Sequence, residues 1–140
     1  METTILYIAI FVYLVILSLH LYHVRKGMVI VRCGWFPPNG YKAIMLLWWL
    51  VVRKGSVVTR KLLRHEAIHM RQQGEMLLLP FFLWYGVEYL FRLWQYRDTR
   101  LAYRNISFER EAYANEKEED YLNSRKLFAW VGYLHQPTIV

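Results

Sequence analysis

The sequence predicts an α+β chain that is mostly helical and is tethered by an N-terminal transmembrane helix. Three observations lead there: an uncharged apolar run at residues 4–22, two short apolar runs of strand character at 28–32 and 43–52, and a series of helical segments from Thr59 onward. At 140 residues there is room for one domain with one modest core. The division is an anchor at 1–26 and a folded domain at 27–140.

Residues 4–22, TILYIAIFVYLVILSLHLY, have the length and composition of a membrane-crossing helix. A signal peptide is the rival reading, but no basic stretch precedes the run and LHLYHVRKG is a poor cleavage site, so a retained anchor is expected. Arg25 and Lys26 follow the run, and only Glu2 precedes it, which predicts an outward N-terminus and a cytoplasmic remainder. His20 and His23 fall at this boundary and read as interfacial residues.

MVIVR at 28–32 reads as a strand leading into the turn-rich GWFPPNG, and AIMLLWWLVV at 43–52, too short to span, reads as a buried strand or dipping element. After the RKGS turn a helix starts near Thr59 and carries RKLLRHEAIHMRQQGEML until Pro80 kinks or breaks it. A second apolar helix, FFLWYGVEYLFRLWQY at 81–96, follows, spanning the membrane or lying in its interface, with Glu88 and Arg92 paired across one turn. A last helix over 107–134 is expected to be capped by Ser107 and to carry acid in its early turns.

The net charge of +7 is concentrated: between Glu2 and Glu66 lie Arg25, Lys26, Arg32, Lys42, Arg53, Lys54, Arg60, Lys61 and Arg64, and no acid. Beside a transmembrane run, such a block reads as positive charge facing anionic membrane lipid. No nucleic-acid-binding motif accompanies it, so nucleic acid is not the expected partner.

His65-Glu66-Ala67-Ile68-His69 forms H-E-x-x-H in a stretch of helix free of Pro and Gly. Histidines four apart share a helix face, so their rings can converge on one zinc at about 2.0–2.1 Å each. Glu66 sits beside them without being a ligand. Zinc lowers the pKa of a water it holds toward about 7, and the carboxylate takes the proton as the water attacks an amide carbonyl. Chance produces the pattern about once in a hundred chains of this composition. A pair of solvated histidines is the plain alternative, and the strand-then-helix setting weighs against it.

A catalytic zinc needs a third protein ligand. Cys33 is the only cysteine, so a thiolate cluster is excluded, and no third histidine follows at H-x-x-G-x-x-H spacing. His135 stands alone near the end of the chain. Glu109 and Glu111, in FEREAYANE, are the candidate carboxylates: Glu109 shares a face with Ala112, Tyr113 and Glu116, and Glu111 with Asn115 and Glu118. An acidic first turn that steadies the helix dipole accounts for either one without a metal. Gln72 and Gln73, one turn past His69, can face the site or simply bridge helices.

HEAIHMRQQ followed by FEREAY resembles the gluzincin pattern, H-E-x-x-H and then E-x-x-A-D on a later helix, found in membrane peptidases related to the CaaX prenyl proteases and the antirepressor sensor peptidases of β-lactam response. More closely, HEAIHMRQQGEMLLLPFFLWYGVEYL with AYRNISFEREAYANE is similar to a group of small, uncharacterised bacterial membrane proteins, over about residues 28–134. The resemblance implies a minimal zincin-like metallopeptidase domain over 27–140, with Glu109 as third ligand and Ala112 as the small residue that lets the helices approach. Tyr113 stands where the pattern has Asp. The hydrogen bond that the pattern's Asp gives to a zinc-bound histidine then falls to Tyr113, Tyr103 or Asn115, or these help polarise the scissile carbonyl.

The function expected is that of a membrane-anchored zinc metallopeptidase in the inner membrane, single-pass or two-pass, with the catalytic part cytoplasmic. His65, His69 and Glu109 bind zinc, Glu66 and Tyr113 are catalytic, and the substrate is a peptide or membrane protein. The alternative is a non-catalytic zincin-like scaffold or metal sensor. An intact Glu66 favours the enzyme, since neither rival needs a base there.

Overall fold

The computed structural model describes residues 2–38 and 41–135: a mostly helical chain with one small sheet. Helix α1 (Glu2–Lys26) covers the expected anchor and is the one described helix that alone is long and apolar enough to cross a membrane. At 1.5 Å per residue it reaches about 37 Å, against about 30 Å of hydrocarbon.

Strands β1 (Val29–Cys33), β2 (Ala43–Leu46) and β3 (Trp49–Arg53) form a sheet of order β1-β3-β2, with β1 parallel and β2 antiparallel to β3. The run at 43–52 is therefore a hairpin and not a single strand. Leu46 pairs with Trp49 across a two-residue turn in which Leu47 takes φ 56°. Such turns normally use Asn or Gly at positive φ, and none is present to announce this one. The hairpin leaves β2 at an open edge and buries Leu50 and Val52 from β3.

Helix α2 (Arg60–Glu75) starts where Thr59 Oγ1 accepts the Leu62 N–H at 3.1 Å, and α3 (Leu79–Tyr96) follows at a bend of 114°. The break falls at residues 76–78, with Leu77 and Leu78 at positive φ, and Pro80 lies in the first turn of α3. Pro80 thus begins the second helix, a position where its missing N–H costs nothing. α1 packs on α2. His20, buried, reaches the Met70 carbonyl at 3.3 Å, and the Tyr13 hydroxyl donates to the Leu77 carbonyl. Gly74 lies in this contact, where a Cβ would stand 3.4 Å from Val24 Cγ2.

Beyond α3 a short helix that the sequence did not announce, α4 (Thr99–Arg104), is capped by Asp98. Helix α5 (Ser107–Asn115) is then turned back against α2. Ser107 is its first helical residue and not its cap. The capping carboxylate comes from α3, where Glu88 Oε1 and Oε2 accept the Ser107 N–H at 3.0 Å and hydroxyl at 2.6 Å while Arg92 pairs with Glu88 at 3.4 Å. The long last helix expected over 107–134 is interrupted. α5 stops at Asn115, and α6 (Tyr121–Ser124) and a 3₁₀ turn (Ala129–Tyr133) follow. The acids of EKEED, at 116–120, oppose the negative end of a helix dipole, and the Asn115 amide bonds the Glu111 carbonyl at 2.7 Å. The core beneath α5 is built from Phe81, Ile106, Phe108 and Trp130.

Candidate metal centre

On α2 the rings of His65 and His69 lie one turn apart with centroids 4.8 Å from each other and their Nε2 atoms 3.1 Å apart. α5 brings Glu109 to them from its first turn. Glu109 Oε2 is 3.3 Å from His65 Nε2, and Oε1 is 3.2 Å from His69 Nε2. All three residues are buried. The approach is possible because Ala112, fully buried, keeps α5 thin on this side and Phe108 is locked into the core. The Tyr85 hydroxyl, from α3, donates to Glu109 Oε1 at 2.8 Å.

The outer nitrogens decide what the inner ones can do. His65 Nδ1 lies 3.0 Å from Glu116 Oε2, and an ionised carboxylate only accepts, so that nitrogen carries the proton. His69 Nδ1 lies 2.7 Å from Gln72 Oε1. The Gln72 amide cannot be reversed without loss, because its Nε2 donates to the Phe108 carbonyl at 3.1 Å and to Glu111 Oε2 at 3.0 Å, both pure acceptors. Each neutral ring is therefore Nδ1–H, and each Nε2 turns a lone pair inward. Two imidazole lone pairs and a carboxylate then converge in a buried space with their ligand atoms within 4.8 Å of one another. Glu109 Oε2 has no hydrogen-bond donor among the described residues.

Such a set of acceptors needs a positive charge between them. One source is a proton. Burial disfavours a charged His69, but the Glu109 carboxylate, with Glu66 and Gln72 adding to it, outweighs burial and lifts the ring from 6.5 to about 9. Burial likewise opposes an ionised Glu109, yet the two imidazoles hold it well below the ordinary carboxylate range. The other source is a divalent cation, for which two histidine nitrogens and a carboxylate oxygen are a suitable donor set for zinc.

Glu66 is buried beside the pair, and burial pushes its carboxyl upward, partly offset by His69 and His65. It lines a cleft of about 900 Å³ together with His65, Tyr103, Tyr113 and residues 41–43 leading into β2. Tyr113 sets its ring edge-on to His65 at 4.7 Å under the Arg104 guanidinium.

The residues singled out from sequence thus divide. His65, His69 and Glu109 come together, and Glu66 and Tyr113 face the adjoining cleft. Glu111 points away, to Gln72, Tyr121 and Arg125, and Asn115 bonds Tyr133. The hydrogen bond to His65 expected from Tyr113, Tyr103 or Asn115 comes instead from Glu116, which lies two turns beyond Glu109 on the same face, a spacing that was visible in the sequence. Tyr85 had no such signal. Searched against protein-family models, curated proteins and solved structures, the chain matches none.

Proton and metal compete for one place in this arrangement. Zinc affinity of the purified protein should rise about tenfold per pH unit from pH 6 and level off near pH 9, where metal-free His69 loses its proton. Titration against a chromophoric chelator across that range measures it, and a flat profile would contradict the shared position.

Proposed function

We propose that this chain is a membrane-anchored zinc metallopeptidase. The observation that carries the reading is the convergence of His65 Nε2, His69 Nε2 and the Glu109 carboxylate, with both Nδ1 atoms occupied and Glu66 on the adjoining cleft. Zinc held by those three residues supplies a Lewis acid that polarises an amide carbonyl and makes water acidic near neutral pH.

The chain's own residues supply the rest. Glu66 is free of any ligand duty and takes the proton of the attacking water. Its raised pKa suits it to pass that proton on to the leaving amine. Burial, with Glu109 and Glu116 behind it, raises the Tyr113 phenol to about 12, so it stays protonated and able to donate to the oxyanion that forms in the cleft. The edge strand β2 reaches the same cleft at its first residue, Ala43, and an extended peptide can add to such an edge by main-chain hydrogen bonds.

The anchor sets where the substrate is met. α1 spans the inner membrane among lipid, and it packs on the very helix that bears both histidines, so hydrolysis occurs at peptides or membrane proteins close to the bilayer. Arg25 and Lys26 at its end support a cytoplasmic side for the site. A topology reporter fused near residue 55 should read cytoplasmic, and a periplasmic readout sinks the orientation while leaving the metal chemistry intact.

Glu66→Gln separates holding metal from using it. The purified variant should keep its zinc and lose hydrolysis of a quenched fluorescent casein by about 10²–10⁴-fold, whereas His65→Ala and His69→Ala should lose both. Wild-type hydrolysis by Glu66→Gln overturns the enzyme reading. Metal loss in Glu66→Gln as complete as in the histidine variants overturns the role given to Glu66.

A further inference from the structure

One layer behind the metal centre lies a second buried cluster of charge that the hydrolysis does not use. Glu111 is fully buried, and Arg125, just after α6, grips it through Nε and, at 3.1 Å, through Nη2. The same guanidinium holds Glu75 at the end of α2 through Nη1 and, at 3.3 Å, Nη2, and Glu75 Oε2 accepts the Phe128 N–H at 3.0 Å. On its other side Glu111 Oε2 accepts from Gln72, whose Oε1 in turn takes the proton of His69 Nδ1.

A glutamine side chain has two ends of nearly the same shape and opposite hydrogen-bonding sense. Turned over, Gln72 would aim its NH₂ at His69 Nδ1, and that nitrogen would have to become the acceptor. The ring proton would then sit on Nε2, the atom that faces the metal. Two groups prevent the reversal, the Phe108 carbonyl and the Glu111 carboxylate, since each would meet an oxygen. Glu111 can act so only while its carboxylate is held in place beside Gln72, and a buried carboxylate is held best by a charged partner that bonds both of its oxygens. Arg125 is that cation, and its planar fork suits a bridge between two carboxylates in a way a lysine does not.

We propose that Arg125 is a positioning residue for the metal: through Glu111 and Gln72 it holds His69 in the tautomer whose Nε2 is free to bind zinc. The inference rests on the metal-site reading above and adds to it that the segment after α6, which touches neither ligand nor cleft, sets the affinity of the centre. A chain of contacts that ends on one nitrogen also makes the effects of its members overlap, where independent supports would multiply.

The test is a double-mutant cycle in zinc affinity on the detergent-purified full chain: wild type, Gln72→Leu, Arg125→Gln and the pair together. Gln72→Leu should weaken zinc about 10–100-fold, as loss of a ligand's hydrogen-bond partner does, and Arg125→Gln about tenfold. The double variant should bind no more weakly than Gln72→Leu alone. Should Arg125→Gln not fold, Arg125→Lys enters the same cycle, because it keeps the charge and loses the fork. Nitrogen-15 shifts of the His69 ring in zinc-free protein at about pH 10 give a readout that general loosening would not move. Nδ1–H is expected in the wild type, and a mixture of tautomers in the Arg125 variant. Losses that multiply, or an unchanged His69 tautomer, overturn the proposal and leave the metallopeptidase reading standing. A wild-type protein that binds no zinc overturns both.

Discussion

A carboxylate taken out of water must be met by positive charge, and α5 with its end takes three out of water on the side facing α2: Glu109, Glu111 and Glu116. Two of them have permanent partners. Arg125 answers Glu111, and Lys61, at 3.0 Å, answers Glu116, which also receives the His65 ring proton. Among the described residues Glu109 has no cationic side chain of its own: the neutral Tyr85 hydroxyl donates to it, and the two imidazoles beside it have their Nδ1 protons directed elsewhere. The third positive charge must be a proton or a metal, and the site is a consequence of that unmatched carboxylate as much as of the H-E-x-x-H spacing.

The fold exists to bring that carboxylate home. α2 and α3 are consecutive, and without the 114° bend between them the chain would run away from the histidines. With the bend, α3 and the short α4 carry it back. α3 then contributes twice more, through the Glu88 carboxylate that starts α5 and the Tyr85 hydroxyl that steadies Glu109. The break needs no special residue of its own: Leu77 and Leu78 take positive φ, and the Tyr13 hydroxyl of α1 satisfies the Leu77 carbonyl. α1, the bend and α2 are thereby one packed unit.

What the sequence made legible follows from what repeats or spaces regularly. The apolar run of α1, the helix start near Thr59 and the four-residue interval of the histidines all appear in the structure where the pattern put them. So does the divergence of Glu109, toward the histidines, from Glu111, set aside toward Gln72 and Arg125. Three features were hidden. The hairpin turn at Leu47 carries no turn residue, so ten apolar residues read as one strand. The cap of α5 comes from Glu88, 19 residues earlier, which no local motif encodes. The helix expected to continue from 107 to 134 ends at Asn115, where the acids at 116–120 are a local signal, but the contacts that hold the chain beyond it, Lys61 and Arg64 on Glu116, are tertiary. At the site, the histidine partner was sought at Tyr113 because the pattern has an acid there, whereas Glu116 reaches His65 from one turn further on.

Zinc K-edge absorption on the zinc-loaded protein in detergent tests most directly whether His65, His69 and Glu109 form a metal centre. One zinc per chain is expected, with two imidazole nitrogens at about 2.0–2.1 Å and a carboxylate oxygen at about 2.0–2.2 Å, the carboxylate contribution being lost in Glu109→Ala. A sulfur shell at about 2.3 Å, which only a thiolate would give, or zinc bound at well below one per chain, would contradict it.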